Sequence, residues 1–429
     1  MNTISRRHFL KLVGASTAVA TSPTLLKAQT ATARQVVVVG GGFAGATAAK
    51  YLRLWSNGGI AVTLVDANPA HVSCILSNLV LNNSLRLEQI TFKLDALQPY
   101  GVNLLQGQAT GIGGGKLLLA DGRSLGYDRL ILAPGIDFDF GKIGVQDPAN
   151  LLHAWQAGPQ TTLLQQQLNK AMPAGGTFVL TIPPAPYRCP PGPYERACLV
   201  ADYLKKNKSG SKVIVLDANP EIIAEKNTFT KAFNETHKGY VEYHPGAIVT
   251  AVNAGARTIA YSENGQQKTL RASVLNVLPP QKAGKIAFDA GLVPAGQNWA
   301  PIDPLSYEST QIPGVHVIGD AQGTGQPKSG HIANAEAKVC ADAILRTFAG
   351  EAPDPAPTTN SACYSPITAN TASWLTAVFA YDPNTLDPVT GKGVMRVVPE
   401  SFGEAPAATR DNYEKMFDWA GNLFADTFA

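Results

Sequence analysis

The sequence predicts an α/β protein with two Rossmann-like nucleotide-binding domains and a smaller C-terminal α+β domain. Three observations predict it: a strand, glycine turn and helix at 35–54, a second strand-and-acid unit at 177–217, and a closing strand ending on an acid at 315–320. At 429 residues the chain is long enough for two or three cores. Hydrophobic residues make up 45% and charged residues 16%, the balance of a packed enzyme rather than a solvated tail. A net charge of +3, scattered along the chain, argues against a nucleic-acid partner.

Residues 1–30 read as an export signal: Ser5-Arg6-Arg7-His8-Phe9-Leu10-Lys11, an apolar stretch from Leu12 to Ala20, then small residues around Ala28 and Ala31. The paired arginines point to the twin-arginine route, which carries folded proteins to the periplasm. An ordinary secretory signal is the alternative. No other stretch reaches the roughly 20 apolar residues of a spanning helix, so no integral membrane segment is expected in the mature chain. Export bears on the five cysteines, Cys74, Cys189, Cys198, Cys340 and Cys363. A pair can persist as a disulfide in an oxidising compartment, and an odd count leaves at least one thiol over.

The first part of a flavin-nucleotide domain is expected over 31–150. The β-branched run Gln35–Val39 enters Gly40-Gly41-Gly42-Phe43-Ala44-Gly45, helix-forming residues follow from Ala46 to Leu54, and a strand from Ile60 to Val65 ends on Asp66. Gly40, Gly42 and Gly45 let the backbone approach a pyrophosphate, the helix N-terminus supplies amide donors, and Asp66 accepts from a ribose hydroxyl. The strand Leu130–Leu132 then runs into the tight turn Ala133-Pro134-Gly135.

A second Rossmann-like domain is expected over 151–280, without a working NAD(P)H site. Its strand Thr177–Ile182 is followed by Pro183-Pro184-Ala185-Pro186-Tyr187-Arg188-Cys189-Pro190-Pro191 where a glycine turn would cradle phosphate. Prolines carry no N–H to offer a pyrophosphate. The next strand, Lys212–Leu216, still ends on an acid, Asp217. The rest of the flavin domain is expected over 281–350, where the strand Val315-His316-Val317-Ile318-Gly319-Asp320 presents an acid to a ribitol chain. A helix from about Ile332 to Thr347 follows, its N-terminal dipole favouring negative charge on a ring above it. A proline-rich linker, Ala352 to Pro357, leads into an interface domain over 351–429. No metal site is predicted.

This arrangement resembles the pyridine nucleotide-disulfide oxidoreductase superfamily, with its glutathione reductase-like pair of nucleotide domains. The match is closer at Arg188-Cys189-Pro190-Pro191-Gly192-Pro193-Tyr194-Glu195-Arg196-Ala197, at Val72-Ser73-Cys74-Ile75-Leu76-Ser77-Asn78 and at Ala362-Cys363-Tyr364-Ser365. Those strings resemble the flavoprotein subunit of flavocytochrome c sulfide dehydrogenase, from about Arg34 to the C-terminus. The resemblance implies FAD, joined through a thioether at Cys74, and a redox-active disulfide between Cys189 and Cys363. It implies oxidation of sulfide to sulfur or polysulfide, and electron transfer to a separate c-type cytochrome subunit in a heterodimer, since this chain has no CxxCH haem site. It also brings Trp419 near the flavin ring.

Several residue readings stay open in the sequence. Cys74 is also readable as a buried thiol, and Cys189–Cys363 as a structural disulfide closing a long loop. Glu195 is a proton acceptor or a salt-bridge partner; Lys328 is a cation supporting a reduced ring or a solvated loop lysine; Trp419 by composition alone is core. Cys198 and Cys340 read as buried small residues. Three other functions compete: a sulfide:quinone oxidoreductase, an NAD(P)H-dependent disulfide reductase, disfavoured by the prolines after Ile182, and a non-catalytic flavin-binding protein.

Overall fold

The computed structural model describes residues 34–145 and 147–429; the export signal expected over 1–30 lies outside the described residues. Five parallel strands form the centre of the first sheet, in the order Val315–Val317, Arg129–Leu132, Gln35–Val39, Ala61–Asp66 and Val102–Gln106. Ile302–Asp303 and Glu308–Ser309 extend its Val315 edge antiparallel. Val36, Val37, Val38 and Val39 are all buried, as a strand covered on both faces requires. Helix Phe43–Trp55 covers one face and packs against helix Gly330–Phe348. Ala46, Ala48 and Ala49 are fully buried, and their small side chains let the two helix backbones come close.

The second sheet is wholly parallel, in the order Val241–Pro245, Lys212–Asp217, Thr177–Ile182, Val274–Val277. Helix Gly192–Asn207 packs on it and is buried along most of its length, including Cys198. The C-terminal sheet is antiparallel: Thr358–Thr368, the long strand Thr371–Leu386, and Gly393–Val397. Helix Arg410–Phe428 lies across Thr371–Leu386 and also meets helix Phe43–Trp55. There the buried Lys50 donates from Nζ to the carbonyls of Ala425 at 3.1 Å and Asp426 at 3.0 Å. The last turn of a helix leaves carbonyls without partners, and a cation satisfies both their hydrogen bonds and the helix dipole.

Two local expectations change. The strand expected over Val315–Asp320 ends at Val317, and Gly319–Ala321 forms one tight helical turn. Gly319 adopts φ +71 and its N–H donates to Glu336 Oε2 at 2.8 Å, which takes the chain out of the ladder. Asp320 is therefore presented from a turn rather than from a strand end. Both helices also begin earlier than composition predicts. The second does so because Ser329 caps it, Oγ accepting from the Ile332 N–H at 3.3 Å.

Candidate active site

The glycines of the first turn divide into two kinds. A side chain at Gly40 would place Cβ 2.3 Å from the Ala133 carbonyl oxygen, and one at Gly45 only 1.9 Å from that of Gly40. Those two are needed for strand, turn and helix to close on each other. Gly42 instead meets nothing nearer than His71, at 3.4 Å, and faces a cleft of about 600 Å³. Gly40, Asp66, Cys74, Ala133, Gly135 and Arg188 also line that cleft. Asp66 accepts from the N–H of Gly41 at 2.6 Å and of Asn68 at 2.7 Å, so it fixes the turn and still borders the cleft.

The cleft fits FAD. A helix N-terminus with its free amides stands behind Gly42. Asp320 Oδ1 and Arg188 Nε are both buried without a partner in the protein, and buried polar atoms of that kind call for a ligand or solvent. Arg188, which lines the cleft, supplies a cationic donor near Cys74, whose thiol it draws down against the larger effect of burial, and Asp320, whose charge also reaches Cys74, offers an unused acceptor.

The corresponding acid of the second sheet is used up. Asp217 is fully buried. Its Oδ2 accepts from the hydroxyls of Tyr194 at 2.7 Å and Tyr243 at 2.9 Å, and its Oδ1 from the N–H and Nδ2 of Asn219 at 2.9 and 2.7 Å. Asn219 also ties down the proline loop, through Ala185 N–H and the Pro183 carbonyl, each at 3.0 Å.

Beyond that loop, the chain brings three distant cysteines to one small chamber of about 60 Å³, lined by Cys74, Cys189 and Cys363 with Glu195, His331 and Trp419. Cys74 borders both this chamber and the dinucleotide cleft. Cys189 sits at the loop's end with φ +58, its N–H donating to the Lys328 carbonyl at 2.7 Å. Gly192 makes room for it, because a Cβ there would lie 2.7 Å from the Cys189 sulfur. Cys363 projects from the strand Thr358–Thr368. All five cysteines are free thiols, so the disulfide implied by the resemblance is not formed in this structure. Burial holds the Cys189 thiol well above its ordinary range, with Cys363 and Glu195 adding to it.

Glu195 is buried in the first turn of helix Gly192–Asn207. Its partner is an amide: Asn78 Nδ2 donates to Oε1 at 2.9 Å. Asn78 Oδ1 in turn accepts from Arg196 Nε at 2.9 Å. Burial lifts the Glu195 carboxyl from 4.5 to about 8, against the Asn78 hydrogen bond. Trp419 packs against the core of the first nucleotide domain and also lines the chamber, where it packs on Tyr364 and donates to His331 Nδ1 at 3.4 Å.

Lys328 is neither solvated nor aimed into the chamber. It is buried, its Nζ donates to the Gln322 carbonyl at 2.7 Å and lies 3.8 Å over the Trp299 ring. Burial brings it down to about 8, opposed by Asp320 and Glu336. Sequence reasoning gave no role to Arg188, Asn78 or His331; the first two stand inside strings already singled out around Cys189 and Cys74, and His331 carries no local signal.

The family model described as sulfide dehydrogenase (flavocytochrome c) flavoprotein chain, central, matches residues 161–279. That for flavocytochrome c sulphide dehydrogenase, flavin-binding, matches 355–428, and pyridine nucleotide-disulphide oxidoreductase matches 34–167. The flavoprotein chain of a sulfide dehydrogenase from Chlorobaculum thiosulfatiphilum is 55% identical over 47 residues, 11% of this chain and 96% of that sequence. The mitochondrial sulfide:quinone oxidoreductase of Schizosaccharomyces pombe is 20% identical over 235 residues, 52% of this chain and 50% of that one. The chain thus spans half or less of the length of other curated relatives that it matches. Among solved structures, the sulfide:quinone oxidoreductase of Aquifex aeolicus superposes with a TM-score of 0.74 at 17% identity, covering 92% of this chain and 93% of that one. With these matches on both nucleotide-binding regions and on the C-terminal sheet, the chain belongs to the flavoprotein family of flavocytochrome c sulfide dehydrogenases.

Proposed function

We propose that this protein oxidises sulfide to zero-valent sulfur or polysulfide through a Cys189–Cys363 disulfide and FAD, and passes the electrons to a c-type cytochrome subunit. The observation that carries the reading is one chamber lined by Cys74, Cys189, Cys363 and Glu195, with Cys74 also on the dinucleotide cleft. Hydrosulfide attacks one sulfur of the disulfide: a new S–S bond forms to that cysteine, the bond between the cysteines breaks, and the electron pair leaves on the other as thiolate. A second hydrosulfide lifts the bound sulfur away as a polysulfide anion and leaves two thiolates. Bound FAD supplies the two-electron acceptor for their return to the disulfide.

Within this scheme Cys74 carries the thioether to the flavin, its place at the mouth between chamber and cleft supporting that role. Glu195, with a carboxyl near 8, holds or accepts the proton of the incoming hydrogen sulfide. The N-terminal arginine pair supports export by the twin-arginine route to the periplasm, where the cytochrome partner would be met. Among the described residues no helix is long and apolar enough to cross a membrane.

The test is an anaerobic titration of the purified chain, following flavin absorbance on addition of sulfide or of NADH. Sulfide is expected to bleach the flavin and NADH to leave it oxidised; bleaching by NADH alone would sink the reading. Adding cytochrome c to one sample and a short-chain quinone to another then separates the cytochrome from the quinone acceptor. Cys363→Ala is expected to abolish bleaching by sulfide, and turnover that survived it would rule out the disulfide route.

A further inference from the structure

Cys363 borders two cavities. One is the chamber it shares with Cys74 and Cys189. The other is a wider cleft of about 510 Å³, which reaches Cys363 but neither of those cysteines, and whose rim carries the exposed Phe402. Its walls are largely apolar, Ile222, Leu375 and Phe379 among them, yet the acidic residue Glu225 is part of that lining. An apolar wall offers a carboxylate no hydrogen bonds, so a buried one there is retained against a desolvation penalty.

Glu225 is also held in an unfavourable backbone conformation. It is 1% exposed and has φ +48, in the left-handed region that residues with a side chain adopt when the surrounding structure imposes it. Ser365 Oγ donates to its Oε2, and the Ser373 hydroxyl also favours the ionised carboxyl group. The other oxygen, Oε1, is buried with no partner. Ser365 lies two residues beyond Cys363 on the strand Thr358–Thr368, so the two side chains share one face of it. Neither the dinucleotide cleft nor the Glu195 side of the chamber uses this carboxyl group.

We propose that Glu225 is the proton acceptor for Cys363, exchanging the thiol proton with the cleft through a bridging water. When Cys363 ionises, its S–H bond breaks, an O–H bond forms at Glu225 Oε1, and no electrons change owner. The proton then leaves along the cleft, past Glu404. The groups facing Glu225 are Cys363, Ser365 and Ser373 from the C-terminal sheet, Glu404 across the cleft, Glu195 from the chamber, and Glu221 and Lys226 of the cleft lining. Burial raises the Glu225 carboxyl to about 7, against the serine hydroxyls and with Glu404 adding to the rise. Cys363 is held at about 12 by burial first and by the Glu225 charge second. The inference rests on the sulfide reading only for the use to which the proton is put; the exchange itself is tested without sulfide.

The experiment is iodoacetamide labelling of Cys363 in the dithiothreitol-reduced, FAD-loaded protein, as a function of pH, read by peptide mass spectrometry. While Glu225 is protonated, the logarithm of the rate rises with pH as the thiolate fraction grows. Once Glu225 ionises, each new thiolate must leave its proton on Glu225 or face its charge, and the rise flattens. The wild type is expected to show that break near the Glu225 value of about 7. Glu225→Gln is expected to rise without it and to label roughly tenfold faster at mildly alkaline pH. Glu195→Gln is expected to keep it. Ser365→Ala, which leaves Glu225 in place, is expected to move the break upward by about one pH unit, since a hydroxyl donor favours the ionised form. A break that persists in Glu225→Gln overturns the proposal, as does a wild-type rise without one. If Glu225→Gln fails to fold, a break unmoved in Ser365→Ala overturns it.

Discussion

Gly192 is the residue on which the position of Cys189 depends. A Cβ there would come within 2.7 Å of the Cys189 sulfur and 2.9 Å of Trp155 Cη2, and neither neighbour is free to retreat, since Trp155 is buried and its Nε1 donates to the Arg188 carbonyl at 3.2 Å. Gly192→Ala is expected to destabilise the fold by about 1–3 kcal/mol through overpacking, measured as a shift in denaturant midpoint. It should also slow flavin reduction by sulfide more than the stability loss explains, because the sulfur is displaced. Asn78 plays a different part at this scale. It donates to Glu195 and accepts from Arg196, whose guanidinium also reaches the His153 and Ala154 carbonyls and Asn276. Asn78→Leu leaves both a buried carboxyl and a buried guanidinium short of a partner, and is expected to destabilise by about 2–4 kcal/mol, read in the same denaturant titration.

At the scale of elements, the C-terminal helix Arg410–Phe428 carries Trp419 to the chamber, and Lys50 holds its end. Lys50→Met keeps the length of the side chain but removes the donor. The helix end is expected to lose about 1–2 kcal/mol, seen as faster amide exchange over 420–428 with little change in helix Phe43–Trp55. Trp419 lies on the same helix, so its fluorescence should broaden in the variant. Strand and helix identity along the chain was largely legible: Thr177–Ile182 falls where its β-branched and aromatic run ends, and Gln35–Val39 likewise. The strand end at Val317 was not legible, because it is Glu336, on a helix later in the chain, that draws away the Gly319 N–H.

For the whole molecule, the buried carboxyls make stability depend on pH with a definite sign. Burial raises Glu195 and Glu336 from 4.5 to about 8, and Glu225 to about 7. The native state therefore keeps protons that the unfolded chain has released, and the stability this contributes is full below 4.5 and lost as pH rises through 7 to 8. The histidines His71, His153, His237 and His316, lowered by desolvation from 6.5 to about 4, act oppositely but only below 6.5. Between 6.5 and 8 the thermal midpoint is thus expected to fall with rising pH, and to fall less in Glu195→Gln; a flat or rising wild-type profile over that window would contradict the assignment. The two nucleotide sheets also part company at this scale. Asp66 borders an open cleft, whereas Asp217 is sealed by Tyr194, Tyr243 and Asn219. Tyr194→Phe together with Tyr243→Phe should free one oxygen of Asp217 yet still confer no reduction by NADH, because the proline loop offers no amides to a pyrophosphate.

The sequence by itself determined the elements whose rules are local: β-branched strands, the glycines that let Gly40 and Gly45 close the first turn, the amide-poor proline loop, and the cysteine contexts that carry the family resemblance. Local rules suffice there because backbone sterics and short-range hydrogen bonds act over a few residues. Only the tertiary structure decided which side chains meet and which are buried. It brought Cys74, Cys189 and Cys363 to one chamber, turned Lys328 toward Trp299, filled the valences of Asp217, and left Asp320, Arg188 and Glu225 each with a buried atom unpartnered. Desolvation and charge–charge coupling depend on distance through space in a low-dielectric interior, and that distance is set by packing between segments well separated in the chain.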